Sequence, residues 1–461
     1  MNLPFEADHA LQQDDLAHHL HPFTDHRQLA ADGGPRIITH GQGVWLWDTQ
    51  GRRLLDGMAG LWCVNVGYGR PELSEVARRQ MDRLPFYNTF FQTSHEPVIE
   101  LSKKLAGLLP EGLEHIFYAN SGSEANDTAI RLVRHYWQAV GQPQRSVIVS
   151  RKHAYHGSTI AGASLGGMSS MHDIPGIPIP DVVHAEAPYA WESGKGMEEE
   201  RFADAAARSV EEAILAAGPE RVGAFIGEPI MGAGGVIVPP AGYWQRVQAI
   251  CRRYDILLIC DEVVCGFGRT GNWFGAQTFD IRPDIMTMAK GLSSGYQPIS
   301  AVAVGERVVA PLLERPGRLP HGFTYSGHPV AAAVALENLN IIEREGLVEH
   351  VRETVAPALA GGLGALADHP LVGEVRTLGA MAALELSPES IQPGGNLPLG
   401  TVATRVRNLC FERGLATRAV REGLVFAPPL VITTDEIDTL VDILTGCLDA
   451  VAAQLREPAH G

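Results

Sequence analysis

Three short apolar runs of the sequence end on an ionisable residue. AFIG (224–227) is followed by Glu228, ILLIC (256–260) by Asp261, and IMTM (285–288) by Ala289 and Lys290. Burying a carboxylate or an ammonium at the inner end of a strand is costly, so each of these needs a reason. In an open α/β sheet, ligands sit outside the carboxyl ends of the strands, and three such groups on successive strands can converge on one crevice. Taken singly, each is an ordinary charge at the rim of a sheet. A fourth element points to an anion. HIFYA (115–119) runs into Asn120-Ser121-Gly122-Ser123-Glu124 and then into the helical pattern EANDTAIRLVRHYW. A strand feeding a Gly/Ser turn that opens a helix leaves backbone N–H groups free at a positive dipole end, which suits a phosphate. The same residues also make a plain helix cap.

An acid, a lysine and a phosphate turn together suggest pyridoxal phosphate. Asp261 could pair with a protonated ring nitrogen, Lys290 could link to the cofactor's aldehyde, and the turn at 121–123 could hold the phosphate. Tyr155, in RKHAYHGST after the strand pattern SVIVS (146–150), is placed either to stack on the ring or to cap a strand end.

These residues need a scaffold, and the chain has room for one. Its 461 residues allow two domains or one large domain with an appendage, each with a core. From about residue 97, apolar runs alternate with helix-length amphipathic stretches, with ISAVAV (299–304) closing the set. Near-continuous apolar strands separated by helices predict a mostly parallel sheet covered on both faces. VWLWD (44–48) and RRLLD (52–56) around Thr49-Gln50-Gly51 predict a β-hairpin. After about 328 come a long helix (HPVAAAVALENLNIIEREG), a second helix to about 368, AMAALEL (380–386), GLATRAV (414–420), LVFAPPL (424–430) and a closing helix from Asp435. The expected division is an N-terminal segment 1–60 that joins a smaller α+β unit, a large unit 61–328, and the smaller unit 329–461. SPESIQPGGNLPLG (387–400) predicts a surface loop.

Composition excludes several partners. Lys plus Arg number 37 against 53 Asp plus Glu, a net charge of −16, which opposes extended contact with nucleic acid or an anionic membrane. No run approaches the roughly 20 apolar residues needed to cross a bilayer, and the acidic, polar start is unlike a signal or transit peptide. Cys63, Cys251, Cys260, Cys265, Cys410 and Cys447 form no CxxC pair and read as reduced thiols, so the cytoplasm is expected. Two other patterns are decoys. Gly266-Phe267-Gly268-Arg269-Thr270-Gly271 matches GxGxxG, but DEVVC separates it from the strand and NWFGAQ does not read as a helix start. His18, His19, His21 and His26 with Asp25 lack a helical metal-binding register and read as solvated, so no metal is expected.

At this point the chain resembles a family. DGMAGLWCVNVGYGR (56–70), PFYNTFFQTSHEP (85–97), SGSEANDTAIRLVRHYW (121–137), YHGST (155–159), GEPIMGAGGVIVPPAGYW (227–244), DILLICDEVVCGFGRTG (255–271), AKGLSSGY (289–296), HGFTYSGHP (321–329) and RAV with APPLVIT (418–433) look like the class III aminotransferases of the fold-type I pyridoxal-phosphate enzymes. Within these, the resemblance is to ω-transaminases and putrescine–pyruvate aminotransferases, and it covers nearly the whole chain. It implies that Lys290 carries the cofactor, that Asp261 meets the pyridinium, and that Gly122 and Ser123 hold the phosphate. Thr324 would reach the same phosphate from the neighbouring subunit, which implies a homodimer or a tetramer built from it. Tyr155 and Val263 would flank the ring, with His156 also at the cofactor and Glu228 ordering the network beside Asp261. Phe23, Trp62, Phe90, Phe91, Tyr155 and Ala233 would line the substrate pocket, and Arg418 would bind a substrate carboxylate. Arg421 and Glu422, which follow RAV, depart from the pattern; the extra arginine either joins carboxylate binding or pairs with Glu422 in solvent, and the second is expected.

The implied activity is transfer of the amino group of an ω-amine (a diamine or polyamine, an ω-amino acid or an arylalkylamine) to pyruvate, giving L-alanine and an aldehyde or ketone. A decarboxylase, lyase or aminomutase on the same fold would share Lys290 and Asp261. A non-catalytic cofactor-binding protein is disfavoured by the intact Lys290.

Overall fold

The computed structural model describes residues 5–314, 317–391 and 397–456. The N-terminal hairpin is present as β2 (Trp45–Asp48) and β3 (Arg53–Asp56), with β1 (Ile38–Gln42) added antiparallel to β2. The stretch before it is helical over Phe5–His18. Asp25 caps a further short helix, His26–Ala31, through hydrogen bonds from the N–H groups of Arg27 and Gln28.

The central sheet has seven strands: β4 (His115–Ala119), β5 (Val147–Arg151), β6 (Val182–Ala185), β7 (Val222–Gly227), β8 (Leu257–Asp261), β9 (Ile285–Met288) and β10 (Ser300–Val304). Their order is β4-β10-β9-β8-β7-β5-β6, and all neighbours are parallel except β10, which runs antiparallel to β4 and β9. Alternate residues feed cores on opposite faces. Ala224, Ile226, Ile259, Ile285 and Val302 pack with Ala129, Val133 and Trp137 of the helix Gly122–Ala139. Phe225, Leu258, Cys260, Met286 and Ala301 pack on the other side with Trp244, Val247 and Cys251. Each fully buried aliphatic side chain contributes about 1.5–3 kcal/mol, which makes both faces necessary to the sheet. The short β6 was not evident in the sequence, because VVHA is only four residues long and follows the proline-rich IPGIPIPD.

The C-terminal part carries β11 (Val372–Leu378), β12 (Met381–Leu386), β13 (Leu415–Ala416), β14 (Arg418–Val420) and β15 (Gly423–Phe426). A four-stranded antiparallel sheet has the order β11-β12-β15-β14, while β13 joins the hairpin sheet by pairing parallel with β3. The run GLATRAV is thus split at Thr417 between two sheets, whose hydroxyl bonds the Val425 carbonyl. The long helices Pro329–Arg344 and Thr434–Arg456 fall where the sequence predicts them. Within the expected loop 387–400, a short 3-10 turn spans Pro388–Ser390, and residues 392–396 lie outside the described ones. The GxGxxG decoy forms successive turns ahead of the short helix Gly275–Thr278, unlike a dinucleotide fingerprint.

Candidate active site

Strand register brings the ionisable ends together. Gly227 pairs with Cys260 and Asp261 with Thr287, so Glu228 falls level with Asp261 and Lys290 projects one turn further along. Lys290 begins a 3-10 turn with φ at 44°, a left-handed conformation that a side-chain-bearing residue adopts only at a cost. Its Nζ lies 5.4 Å from the centre of the Trp62 ring. Burial lowers the pKa of the amine below that of an ordinary lysine, and the Asp261 carboxylate partly opposes this. A lysine held this way gives up its proton more readily than one in solvent.

Asp261 is buried and takes part in three hydrogen bonds. Oδ2 accepts from Asn126 Nδ2 at 2.8 Å and sits 2.7 Å from His156 Nδ1, while Oδ1 accepts from the Val263 N–H at 3.0 Å. Burial alone raises its pKa, but the hydrogen bonds from His156, Asn126 and Val263 prevail and hold the carboxyl below the usual value. It therefore stays ionised in a dry setting, ready to face a cation. Glu228 has a different environment. Its oxygens accept from the N–H groups of Tyr155 at 3.2 Å and Gly232 at 2.9 Å, and burial, reinforced by the Asp261 charge, raises its pKa. It fixes the backbone that presents Tyr155 and the loop carrying Ala233.

The turn after β4 is built as an anion cradle. The first N–H groups of a helix have no intrahelical acceptor. That of Glu124 is taken by the Ser121 hydroxyl and that of Ala125 by the Ser121 carbonyl, leaving those of Gly122 and Ser123. Two further contacts keep this cradle tight. A Cβ on Gly122 would lie 3.0 Å from Val263, and one on Gly157 (φ 126°) would lie 2.7 Å from Ser123 Cα. A Gly157→Ala variant is therefore expected to lose about 1–3 kcal/mol of stability. It should also bind phosphate-bearing cofactor more weakly, as thermal melting with and without added cofactor will read.

Around this centre, Trp62 is only 1% exposed, with φ at 59°, and packs with Ala233, Val264 and the partly buried Tyr155 and Val420. Phe23 is 72% exposed and meets the Tyr155 ring edge-on at 6.3 Å. Arg418 lies with its guanidinium carbon 5.8 Å from the Trp62 ring centre, the same ring that Lys290 approaches. Burial lowers its pKa, and no carboxylate of the described residues forms an ion pair with it. An arginine kept half-buried without a counter-ion is prepared for an anionic ligand.

Phe90, Phe91 and Thr324 lie elsewhere. Phe90 packs on Gly322, whose added Cβ would sit 2.6 Å from its ring. Phe90 and Phe91 also line a cavity of about 920 Å³ with Phe117, Arg131, His321 and Gly322, and its walls include none of Lys290, Asp261, Tyr155 or Trp62. Phe91 is 83% exposed, and Thr324 is exposed on the same loop as Gly322.

Some features were not legible beforehand. Asn126 is one such residue, although a polar side chain amid Ala125, Ala129 and Ile130 on a core-facing helix is a usable signal. Arg421 does not pair with Glu422. It bonds Glu192 Oε2 at 3.1 Å, while Glu422 accepts from the N–H groups of Gly400 and Ala403 at 2.5 and 2.8 Å and caps the preceding helix Thr401–Glu412. Asp25 caps the helix that His26 opens and is not in the group of close metal-ligating atoms. Asp15, His19 and His21 are the group among the described residues whose atoms approach closely enough to share an ion, and both histidines already bond the Asp15 carboxylate. The six cysteines are free, and all but Cys63 are buried.

A buried carboxylate held below its usual pKa, a strained lysine whose pKa burial lowers, and a helix start with unclaimed N–H groups among the described residues are together suited to pyridoxal phosphate. The buried and unpartnered His156 Nε2 and Asn126 Oδ1 around Asp261 are consistent with a further polar group completing it. The chain belongs to the class-III aminotransferases, whose family pattern matches residues 29–448, and it is accordingly a pyridoxal-phosphate enzyme. It is 52% identical over 436 residues to a putrescine–pyruvate aminotransferase of Pseudomonas aeruginosa, covering 95% of each chain. It is 45% identical over 430 residues to a diaminobutyrate–2-oxoglutarate transaminase of Halomonas elongata, covering 91% of this chain and 92% of that one. Its structure matches that of the ω-transaminase of Pseudomonas jessenii in complex with PMP with a TM-score of 0.94 at 44% identity, over 96% of this chain and 99% of that one.

Proposed function

We propose that the protein transfers the amino group of an ω-amine to pyruvate, releasing L-alanine and an aldehyde or ketone. The observation that carries this is the shared Trp62 ring, with the reactive amine of Lys290 and the unpaired guanidinium of Arg418 both close to it. A substrate between them meets a base at one end and a carboxylate receptor at the other. The similarity to the putrescine–pyruvate enzyme supports the same pairing of donor and acceptor.

On this reading Gly122 and Ser123 hold the cofactor phosphate, Tyr155 and Val263 flank the ring, and Asp261, braced by His156 and Asn126, faces its nitrogen. When bound, the cofactor supplies an electron sink and a temporary holder for the amino group. Lys290, freed when the substrate amine takes its place, accepts the substrate Cα proton, and burial keeps its amine able to do so. Trp62, Ala233, Phe23 and Tyr155 exclude water from the reacting carbon and set the shape of the amine pocket. Arg418 holds the carboxylate of pyruvate bidentately and leaves it for a donor that has none. Because two substrates use one site in turn, the kinetics are ping-pong.

Phe90, Phe91 and Thr324 complete the site of a second copy of the chain in a homodimer. Phe90 and Phe91 lining a cavity whose walls do not include Lys290, and the exposure of Phe91 and Thr324, support this. Residues 61–328 form the cofactor-binding unit, and 1–60 with 329–461 the smaller one. The parallel pairing of β3 with β13 supports that grouping. Five buried free thiols fit a reducing cytoplasm.

A panel of diamines, ω-amino acids and arylalkylamines with pyruvate, read as alanine formed, tests the reading. Turnover without alanine, or a sequential kinetic pattern, would count against it. Arg418→Met is expected to raise the KM for pyruvate about 10- to 100-fold, the equivalent of losing a charge-assisted bidentate contact. The half-reaction of a carboxylate-free diamine should change by no more than about threefold.

A further inference from the structure

Arg418 opens β14, a three-residue strand at the edge of its sheet among the described residues, paired with β15. Such a strand has few backbone bonds to set its position. The tip of the hairpin is Arg421, held at φ 55°, where a glycine would rest without cost. Its side chain makes contacts that no glycine could. The guanidinium lies 4.9 Å from the Tyr189 ring centre and donates to Glu192 Oε2 at 3.1 Å. The same oxygen is 2.9 Å from His153 Nε2. His153, also left-handed at φ 63°, is two residues before Tyr155. One carboxylate oxygen thus joins the segment that presents Tyr155 to the hairpin that presents Arg418.

The anchor is itself rigid. The Tyr189 hydroxyl donates to Glu385, and Arg376 lies 5.0 Å from the Tyr189 ring centre while donating to Glu385 Oε1 and to the Gly235 carbonyl, both at 2.8 Å. Glu192 also neutralises Arg421, so that this second arginine does not compete with Arg418 for a substrate carboxylate.

We propose that Glu192 and Arg421 form a clasp that positions the Arg418 hairpin and thereby sets recognition of the carboxylate substrate. The proposal rests on the reading that Arg418 receives that carboxylate. Neither residue touches the reacting atoms, so both are positioning residues.

The test is steady-state and half-reaction kinetics on the holoenzyme for Arg421→Gly, Arg421→Lys, Glu192→Gln, Arg418→Met and the double variant Arg418→Met/Arg421→Gly. The glycine variant relieves the backbone strain at the tip, so loss of folding is not its expected outcome. Arg421→Gly and Glu192→Gln should raise the KM for pyruvate about 3- to 10-fold, with the diamine half-reaction changed less than about twofold. Arg421→Lys, which keeps the charge, should recover part of the loss. In the Arg418→Met background, Arg421→Gly should add nothing. An unchanged pyruvate KM in both single variants overturns the clasp while leaving the Arg418 reading intact. So does an equal loss for diamine and pyruvate, which marks a merely structural role. A rise that persists in the Arg418→Met background also overturns it, because Arg421 would then bind the carboxylate itself. If Arg418→Met alone leaves the pyruvate KM unchanged, the Arg418 reading falls, and the clasp as a route through Arg418 falls with it.

Discussion

Lys290→Ala is expected to reduce alanine formation from pyruvate by about 10⁴-fold or more with every amine donor, the upper range for removing a positioned general base. The loss should exceed that ordinary range because the residue serves two purposes on the proposed reading, attaching the cofactor and moving the substrate proton. Its environment explains why no neighbour can substitute. The backbone is held at φ 44°, which directs this one side chain into the crevice, and the other strand-end groups are carboxylates with their oxygens already bonded. The measurement is alanine formed in single and multiple turnovers. Wild-type-like turnover in the variant would sink the mechanism.

Asp261→Asn is the second large effect, a fall of about 10²–10³-fold in kcat/KM, as found when one preorganised electrostatic contact in a dry site is removed. The substitution keeps the volume but removes the charge, and it turns one acceptor into a donor. Asn126, His156 and the Val263 N–H all point at this carboxylate, so an amide nitrogen there must leave at least one of them facing another donor. The same group has a stability signature. Its folded pKa is held below the unfolded value, so it binds fewer protons in the native state. Its contribution is present above the ordinary carboxylate pKa near 4 and is lost as pH falls through the lower, folded value. Acid unfolding compared between wild type and Asp261→Asn should show wild type losing its advantage in that window. Parallel curves would show that Asp261 is not held ionised as described.

Much of this was legible in local patterns. The run IMTMAKG announced a strand with an ionisable end, and HIFYANSGSE a strand, a turn and a capped helix, because period and capping are properties of neighbouring residues. Other elements had no such signal. Val182–Ala185 is a strand only because β5 stands beside it, and GLATRAV, one continuous run in pattern, has halves that pair with partners in different sheets. Arg421 and Glu422, adjacent in sequence, were expected to pair. The hairpin turn instead separates their side chains, one toward Glu192 and the other toward the helix Thr401–Glu412.

By itself the sequence determined that Glu228, Asp261 and Lys290 follow strands and that a Gly/Ser turn precedes a helix, since strand ends in a parallel sheet share one edge and that edge follows from the chain's direction alone. Only the tertiary structure decided which groups hold them. His156 and Asn126 on Asp261, Trp62 beside both Lys290 and Arg418, and Glu192 between His153 and Arg421 are meetings of residues from separate elements. Nothing in the spacing of the sequence encodes such contacts. They arise when the central sheet, the loops at its edge and the C-terminal hairpin pack together, and packing sets the distances on which each charge and hydrogen bond depends.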